Sequence, residues 1–299
     1  MAESLNVGRQ HDKKMCWLPL NIKGVLANKV DDISLNIEHA LKRDYIPFNE
    51  LLGTKSGAVA IVGSGPSLKA NWRKLKRFKG DIIACNSACK FLLEKGIVPQ
   101  YMMCFDADKL VLEFFKPHTS ITYLIASRCV PEVFDILKDC RVVIWHASGD
   151  ENIGELLEKH KINEPMVTGG SAAVTRSMFL AMAIGYTEIH IFGGDSSFAP
   201  TGDTHIGQST TIERRMPVKC GSRVFEVAPW MTIQVEDLKK LAPLINFLKI
   251  RLFFHGDGML QHVARELGFR TDYEGVVQQH VRIFARNWIH KATILWQHV

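Results

Sequence analysis

One stretch of sequence decides the fold: Ala58-Val59-Ala60-Ile61-Val62-Gly63-Ser64-Gly65-Pro66-Ser67-Leu68. Its five leading apolar residues predict a strand that is buried on both faces, as in a parallel sheet. The glycines then predict a tight turn, and the helical spacing of Leu68–Phe78 predicts a helix directly after it. A buried strand that enters a helix through a glycine turn is the first half of a βαβ unit.

The same alternation continues along the chain. Further apolar runs predict strands at Asp81–Ala84, Tyr101–Phe105, Ser120–Ile125, Arg141–Trp145, Glu188–Phe192 and Arg251–Phe254. Helical spacing predicts helices between them at Ala88–Lys95, Pro131–Lys138, Ile153–His160, Ala172–Ile184 and Val235–Phe247. Alternating strands and helices predict an α/β fold with a doubly wound, Rossmann-like and mostly parallel sheet.

The chain is predicted to have three regions. Residues 56–262 carry the alternating pattern and are expected to form a Rossmann-like nucleotide-binding catalytic domain. Residues 1–55, in which Asp32–Arg43 has helical spacing, are expected to pack on that domain as an N-terminal arm or cap. The aromatic and basic stretch Val276–Val299 predicts a C-terminal helical extension over residues 263–299.

Composition sets broad limits. Of the 299 residues 46% are hydrophobic and 23% charged, which is typical of a globular protein and argues against wholesale disorder. The net charge of +6 suits phosphate-bearing ligands, but a surface excess of Lys and Arg explains it equally simply.

Cysteine usage and hydropathy indicate a cellular setting. The seven cysteines include no C-x-x-C pair, which argues for buried thiols in a reducing compartment and against a disulfide framework or a zinc site. No apolar run reaches the ~18–20 residues of a membrane span. Charged residues precede the first apolar run, unlike a signal peptide, so a cytoplasmic location is expected.

The loop Gly63-Ser64-Gly65-Pro66-Ser67 is the first candidate binding site. Glycines would let backbone N–H groups approach a ligand, and the helix N-terminus adds partial positive charge for a phosphate. Ser67 is placed either to cap the helix or to bond a phosphate oxygen. Leu68 replaces the third glycine of the dinucleotide motif, and no Gly-Lys-Ser/Thr follows, so the P-loop is excluded as well. A tight turn with an ordinary serine cap is the structural alternative.

Two further turns carry residues suited to a nucleotide. Asn86 and Ser87 follow the second strand, where an Asn amide can read a base or ribose, or else cap the next helix. Gly169, Gly170 and Ser171 precede a helix of small residues and would direct a second helix N-terminus at the same crevice. Close packing of helix on sheet is the alternative for the small residues.

The chemistry is expected near the turn that follows Glu188–Phe192. There Gly194 and Asp195 end the strand, and His205 lies in the loop beyond. Asp195 could accept a hydroxyl proton, orient a sugar or bind a metal. His205 could act as general base or acid because histidine titrates near neutral pH, although a solvent-exposed loop histidine is the equal alternative.

A pair of carboxylates is the candidate metal site. Asp106 and Asp108 follow the third strand with one residue between them, and such a pair could hold Mg²⁺ through phosphates. An Asp pair that opens a loop is equally ordinary turn chemistry.

These motifs, in this order, resemble the MptE-like family, which includes archaeal 6-hydroxymethylpterin diphosphokinases and bacterial motility-associated (Maf) glycosyltransferase-like proteins. The resemblance spans Val59 to Gly258. It rests on V-G-S-G-P-S-L (62–68), L-L-E-K-G-I-V-P (92–99), G-G-S-A-A-V (169–174) and A-I-G-Y-T-E-I-H-I-F-G-G-D (183–195). The glycine loop, Cys85-Asn86 and the Gly-x-Asp strand end are also similar to those of bacterial sialyltransferases that use CMP-activated sugars.

The two resemblances imply different roles for the same crevice. The sialyltransferases imply a nucleotide held by the glycine loop and Asn86, with Gly170 and Ser171 nearby and His205 as base. Their leaving-group tyrosines are replaced here by residues 196–198, Ser-Ser-Phe. The pterin kinases imply Mg²⁺ at Asp106 and Asp108, although this chain has Lys109 in place of their glycine.

The leading hypothesis is therefore a transferase of a sugar or nonulosonic-acid group from a nucleotide-activated donor, such as a CMP-sugar, to an unidentified acceptor. The alternative is an ATP- and Mg²⁺-dependent diphosphokinase of the 6-hydroxymethylpterin type. A third hypothesis is nucleic-acid binding or modification, because basic residues and Trp288 and Trp296 interleave near the C-terminus. For that stretch an amphipathic helix that docks on the domain, or a contact between two copies of the chain, is favoured.

Overall fold

The computed structural model describes residues 5–11, 14–19, 30–149, 152–206 and 215–272. Its strands are β1 (Asn6–His11), β2 (Lys14–Pro19), β3 (Ile46–Pro47), β4 (Ala58–Val62), β5 (Asp81–Cys85), β6 (Tyr101–Cys104), β7 (Thr122–Ala126), β8 (Arg141–Ala147), β9 (Met166–Val167), β10 (Glu188–Phe192), β11 (Met216–Cys220), β12 (Arg223–Val227), β13 (Arg251–His255) and β14 (Arg270–Thr271). Its helices are α1 (Val30–Leu41), α2 (Leu68–Leu75), α3 (Ala88–Glu94), α4 (Pro131–Ile136), α5 (Ile153–Lys159), α6 (Ala173–Ile184), α7 (Pro229–Phe247) and α8 (Met259–Glu266). The 3₁₀ helices are Phe48–Leu51 and Lys109–Phe114.

A ten-stranded sheet is the centre of the molecule. Its order is β14-β13-β10-β4-β5-β6-β7-β8-β3, with β9 also paired to β8. Every pairing in it is parallel. Strands β5 to β8 follow one another from β4 towards one edge of the sheet, and β13 and β14 follow from β10 towards the other edge. The strand order therefore reverses between β4 and β10, which is where open α/β sheets bind ligands.

The two strands at this reversal have the predicted bounds. Ala58–Val62 and Glu188–Phe192 pair residue for residue, from Ala58↔Glu188 to Val62↔Phe192. Val59, Ala60, Ile61 and Val62 are completely buried. Burial on both faces makes β4 continuously apolar, whereas β10 keeps Glu188 and His190 at part-buried positions. The predicted α/β class with a doubly wound, Rossmann-like sheet is confirmed.

Part of the N-terminal region packs directly on the main sheet. The short β3 pairs in parallel with β8, through Ile46↔Val143 and Pro47↔Ile144, and so extends the main sheet. Helix α1 packs against α4 and α5. Residues 30–55 are thus part of the large α/β unit, because their apolar residues are buried against it.

Ahead of them, β1 and β2 form an antiparallel sheet with β11 and β12, in the order β12-β11-β1-β2. This four-stranded sheet was not predicted. At the other end of the main unit, the expected boundary at residue 262 falls inside α8. The predicted helical stretch Val276–Val299 lies outside the described residues.

The cysteines agree with the predicted buried thiols. Six of them form no disulfide in the part of the chain that the structure describes: Cys85, Cys89, Cys104, Cys129, Cys140 and Cys220. Burial raises the pKa of Cys85 and of Cys89 to about 12, since the charged thiolate is disfavoured away from water.

Within the described residues no helix combines the length and the apolar character of a membrane span.

Candidate active site

Two turns interlock at the carboxyl end of the strand reversal. We call residues 63–67, after β4, the glycine loop, and residues 193–197, after β10, the aspartate loop. Gly63 N–H donates to Phe192 O at 2.8 Å, and Gly65 N–H donates to Gly193 O at 2.8 Å. Ser67 N–H donates to Asp195 Oδ2, also at 2.8 Å. The β4–β10 pairing thus continues beyond the strands as a chain of loop-to-loop hydrogen bonds.

This arrangement changes the explanation of the glycines. A Cβ on Gly63 would lie 2.5 Å from Gly193 O, and one on Gly65 would lie 2.5 Å from Asp195 Oδ2. Gly193 has φ +60°, and a Cβ there would clash with Gly63 O. These glycines therefore clear space for the opposite loop, and the approach of a phosphate to the glycine loop stays a prediction.

The glycine loop keeps one amide for a ligand. The N–H groups of Gly63, Gly65 and Ser67 are taken up by the aspartate loop and its strand, and Pro66 has none. Among the described residues no acceptor faces Ser64 N–H. Ser64 O accepts a hydrogen bond from Ile206 N–H at 2.8 Å. A phosphate would therefore meet the loop at Ser64 rather than along its whole length.

Asp195 anchors the two loops. It is only 5% exposed, and its Oδ1 accepts a hydrogen bond from Gln261 Nε2 at 3.1 Å while Oδ2 accepts that of Ser67 N–H. Burial raises the pKa of this carboxyl, against the lowering effect of those hydrogen bonds. The Ser67 hydroxyl makes no capping bond to α2, so Asp195 supplies the cap that the sequence assigned to Ser67.

Asn86 occupies an unusual position after β5. Its φ is 48°, in the left-handed region, and its N–H donates to Met103 O at 3.0 Å. Its side-chain Oδ1 is buried and has no hydrogen-bond partner among the described residues. Because Val62 pairs with Ala84, the ends of β4 and β5 are adjacent and Asn86 lies beside the glycine loop. Buried polar atoms are rarely left unsatisfied, so this oxygen points to a ligand.

Strained backbone flanks the crevice on both sides. Ser196, in the aspartate loop, has φ 50°, and its Oγ donates to Gln234 Oε1 of α7 at 2.7 Å. Left-handed conformations cost a non-glycine residue about 1–3 kcal/mol and concentrate at functional sites. Asn86 Oδ1 has no partner among the described residues and Ser87 makes no side-chain cap, so the alternative that Asn86 caps α3 is not what orders this turn.

The turn before α6 is held by a carboxylate of the protein. Ser171 donates to Asp237 Oδ2 with both its backbone N–H and its hydroxyl, each at 2.7 Å. Gly169 has φ +111° and packs against Phe179, while Gly170 has φ +20° and packs against Thr175. Gly194 is buried against Ile191 and Val174. These glycines therefore permit close packing, and Asp237 lies where a ligand anion was expected.

The segment that carries His205 folds over the glycine loop. We call residues 203–206 the His205 segment. Besides the Ile206–Ser64 hydrogen bond, Asp203 pairs with Lys69 of α2 at 3.3 Å. The half-buried His205 ring stacks on Trp230, with 6.0 Å between centroids and 12° between planes. Its Nδ1 lies 3.1 Å from Thr204 Oγ1.

Three residues that support the crevice were not predicted from the sequence. Trp230 supports His205, Gln234 holds Ser196, and Gln261 holds Asp195. Trp230 follows a proline at the start of α7, a local signal for a helix but not for a site. The two glutamines lie on helices and had no sequence signal, because their roles depend on contacts that only the fold creates.

Asp106 and Asp108 show the turn chemistry that was one of two expectations for them. Asp106 Oδ1 accepts a hydrogen bond from Asp108 N–H at 3.1 Å, and Asp108 Oδ1 caps Leu110 N–H at 2.8 Å. Both residues are exposed at the carboxyl end of β6. Their role as Mg²⁺ ligands remains a prediction.

These features define a Rossmann-like protein with a candidate ligand crevice. The crevice lies at the strand-order reversal, where two loops interlock, the Asn86 oxygen is unsatisfied and His205 lies over the glycine loop. The family is given by sequence: residues 33–201, more than half of the chain, match the model of the family described as 6-hydroxymethylpterin diphosphokinase MptE-like. The chain therefore belongs to the MptE-like family, as the motifs indicated. No curated protein sequence matches it significantly.

One solved structure shares the fold, and two others have a lower similarity. The Maf glycosyltransferase from Magnetospirillum magneticum AMB-1 is 21% identical, with a TM-score of 0.54 over 77% of this chain and 37% of that one. This chain thus spans well under half of that protein. A mammalian sialyltransferase is 13% identical, with a TM-score of 0.38 over 76% of this chain and 79% of that one. The sialyltransferase CstII from Campylobacter jejuni is 16% identical, with a TM-score of 0.31 over 76% and 91%.

Proposed function

We propose that this chain is a glycosyltransferase that transfers a sugar or nonulosonic-acid group from a nucleotide-activated donor such as a CMP-sugar. The observation that carries the proposal is the buried, unsatisfied Oδ1 of Asn86, which lies beside the glycine loop at the strand-order reversal. An Asn side chain there can accept a hydrogen bond from an exocyclic amine or ribose hydroxyl and donate one in return.

The donor phosphate would lie over the start of α2. Ser64 N–H is available there, and the partial positive charge of a helix N-terminus favours an anion. Asp195 acts indirectly in this proposal: its carboxylate fixes the Ser67 amide and thereby the shape of the loop. A loop held rigid before the ligand arrives loses less conformational entropy on binding.

His205 would be the general base. It is brought over the glycine loop by the Ile206–Ser64 hydrogen bond, and Trp230 limits the orientations of its ring. A half-buried imidazole can remove the proton from an acceptor hydroxyl as the glycosidic bond forms. The fold shared with the Maf glycosyltransferase, and the motifs shared with CMP-sugar sialyltransferases, support this assignment.

Calorimetric titration with CMP, CDP, UDP, GDP and ATP tests the proposal. We expect a cytidine nucleotide to bind most tightly, and Asn86→Gly to weaken it about 10- to 100-fold, because one or two hydrogen bonds to the ligand are lost. Glycine removes the side chain but tolerates the left-handed backbone.

Asn152→Gly is the matched control. Asn152 also has positive φ, at 65°, but it is exposed at the start of α5. Asn152→Gly should bind nucleotide as the wild type does. If no nucleotide bound, or if both variants bound it equally well, the proposal would be wrong.

A diphosphokinase that acts on a small alcohol is the second candidate. Two observations favour it: the description of the family, and the two exposed carboxylates of Asp106 and Asp108 at the carboxyl end of β6. Mg²⁺ is commonly bound by one or two carboxylates together with substrate phosphates. This candidate predicts AMP release from ATP that is lost in Asp106→Asn or Asp108→Asn. Full activity without a divalent cation would exclude it.

A further inference from the structure

A cluster of potential metal ligands lies at the junction of the two sheets, away from the crevice residues described above. Cys220 ends β11 in the four-stranded sheet, and His262 and Glu266 lie one turn apart on α8. Residues four apart project from the same face of a helix. The Cys220 sulfur, one ring nitrogen of His262 and one carboxylate oxygen of Glu266 all lie within 4.8 Å of one another.

The distances between these atoms are close to those between the ligands of a small cation. His262 Nε2 lies 3.3 Å from Glu266 Oε1, and Cys220 Sγ lies 3.9 Å from Glu266 Oε2. Zinc bonds of about 2.0–2.3 Å at tetrahedral angles place neighbouring ligand atoms about 3.3–3.8 Å apart. Small side-chain rotations would therefore bring all three groups into coordination.

His262 is incompletely satisfied by the protein. Its side chain is 11% exposed, and its ring lies near Glu266 Oε1 and the Cys220 backbone, but neither buried ring nitrogen has a hydrogen bond that meets the usual angles and distances within the described residues. The ring packs against Phe225 of β12 at 5.6 Å between centroids. A buried imidazole with unsatisfied nitrogens requires an explanation, and a bound ion is one.

We propose that Cys220, His262 and Glu266 bind one zinc ion. A thiolate, an imidazole and a carboxylate together are typical zinc ligands, and thiolate and imidazole are poor ligands for Mg²⁺ or Ca²⁺. Binding would displace the thiol proton of Cys220 to solvent. The fourth position would hold water on the side of Glu266, whose side chain is the most exposed of the three at 23%.

The zinc ion would clamp the small sheet to the helix that supports the crevice. On α8 the residue next to His262 is Gln261, which donates to Asp195, and Leu260 N–H donates to Asp195 O at 3.1 Å. A bound ion would fix β11 on α8 and so restrict the same helix. The usual sequence spacing of zinc sites is absent because the thiolate and the imidazole come from elements far apart in the chain.

Metal analysis and cobalt substitution test the proposal on the full chain. We expect about one zinc per chain after dialysis, and a cobalt-substituted protein with a thiolate-to-cobalt charge-transfer band. Cys220→Ser should abolish the band, and His262→Gln should weaken zinc binding at least about 10-fold. Cys140→Ser is the matched control, because Cys140 is a free, part-buried cysteine outside the cluster and should leave both results unchanged.

A stability measurement covers the case in which a variant fails to fold. Removal of zinc from the wild type with a chelator should lower its Tm, and added zinc should restore it. Wild-type protein that is folded but binds no zinc, or whose cobalt spectrum lacks the thiolate band, would overturn the proposal. Neither result bears on the glycosyltransferase proposal, since nucleotide titration is measured separately.

Discussion

Asp195 Oδ2 accepts a hydrogen bond from Ser67 N–H at 2.8 Å, which joins the loop after β10 to the first turn of α2. The same carboxylate accepts a second hydrogen bond from Gln261 on α8. One buried side chain thus connects three elements that surround the crevice. The same carboxyl group, whose pKa is raised by burial, occupies the Ser67 N–H at the helix N-terminus, which leaves the Ser64 N–H as the amide proposed for a phosphate.

Asp195→Ala should lower the free energy of unfolding by about 1–3 kcal/mol, because it leaves buried N–H groups of Ser67 and Gln261 without acceptors. Urea unfolding at pH 7 measures this change. Asp257→Ala is the control: Asp257 pairs with Arg223 at the surface, and exposed ion pairs contribute at most about 1 kcal/mol. Equal effects of the two substitutions would contradict the anchoring role of Asp195.

Gly65→Ala should destabilise the protein by about 1–3 kcal/mol, because its Cβ would lie 2.5 Å from Asp195 Oδ2 and push the loops apart. Gly154→Ala in α5 is the matched control, since a Cβ there meets nothing within 4 Å. It should be neutral or should stabilise the helix by up to about 1 kcal/mol. Thermal unfolding of both variants checks the pair, and a tolerated Gly65→Ala would count against interlocked loops.

His146 should make stability fall in mild acid. Its completely buried ring lies between Ser127 Oγ, at 3.0 Å, and Glu164 Oε2, at 3.3 Å, and burial lowers its pKa to about 4. The unfolded chain, with a histidine pKa near 6.5, then binds more protons than the folded one. The contribution of His146 is present above pH ~6.5 and is lost as pH falls towards about 4, by up to about 1.4 kcal/mol per pH unit.

His146→Gln removes this titration and should flatten the pH dependence of unfolding between pH ~6.5 and ~4. Glu164, whose pKa is raised by burial, is present in both proteins. The difference between the two pH dependences of unfolding therefore reports the protonation of His146 alone. His39→Gln, at an exposed position of α1, should leave the slope as it is. An unchanged slope in His146→Gln would show that the ring is protonated in the folded state.

His205→Gln should lower the rate of transfer about 10²- to 10⁴-fold, the usual contribution of a general base, with nucleotide affinity within about twofold of wild type. Turnover of a nucleotide-sugar donor and calorimetry measure the two quantities. Trp230→Leu, which removes the stacked ring, should give an intermediate rate. If His205→Gln kept the full rate, the base would have to be sought elsewhere.

The central strands could be predicted because each is marked by a run of apolar residues in its own local sequence. Ala58–Val62 is apolar throughout, and Glu188–Phe192 is apolar at its three buried positions, since both faces of a central parallel strand are largely buried. In contrast β1, β2, β11 and β12 are mixed in polarity. Their pairing depends on partners distant in the chain, so no local pattern marked them.

The sequence named the residues of the candidate site but not their interactions. It put Gly65, Asn86 and Asp195 at the carboxyl ends of strands and His205 in the loop beyond, which follows from a parallel sheet, and their roles stay predictions. That Asp195 caps α2 in place of Ser67 could not be predicted, because these residues are 128 positions apart. The glycines of the loop were equally ambiguous in the sequence. They predict that other atoms pack closely on the backbone, but not whether those atoms belong to a ligand or to another loop.

The pairing of β1 with β11, through Asn6↔Lys219, has a consequence for biosynthesis. Roughly 200 residues must leave the ribosome after β1 before its partner strand exists, which takes about 10–40 s at typical rates of synthesis. During that time the β1–β2 hairpin has an open edge and can pair with another chain. Chaperone dependence during expression is therefore expected to come from these first strands, and co-expression of a chaperone should increase the yield of folded protein.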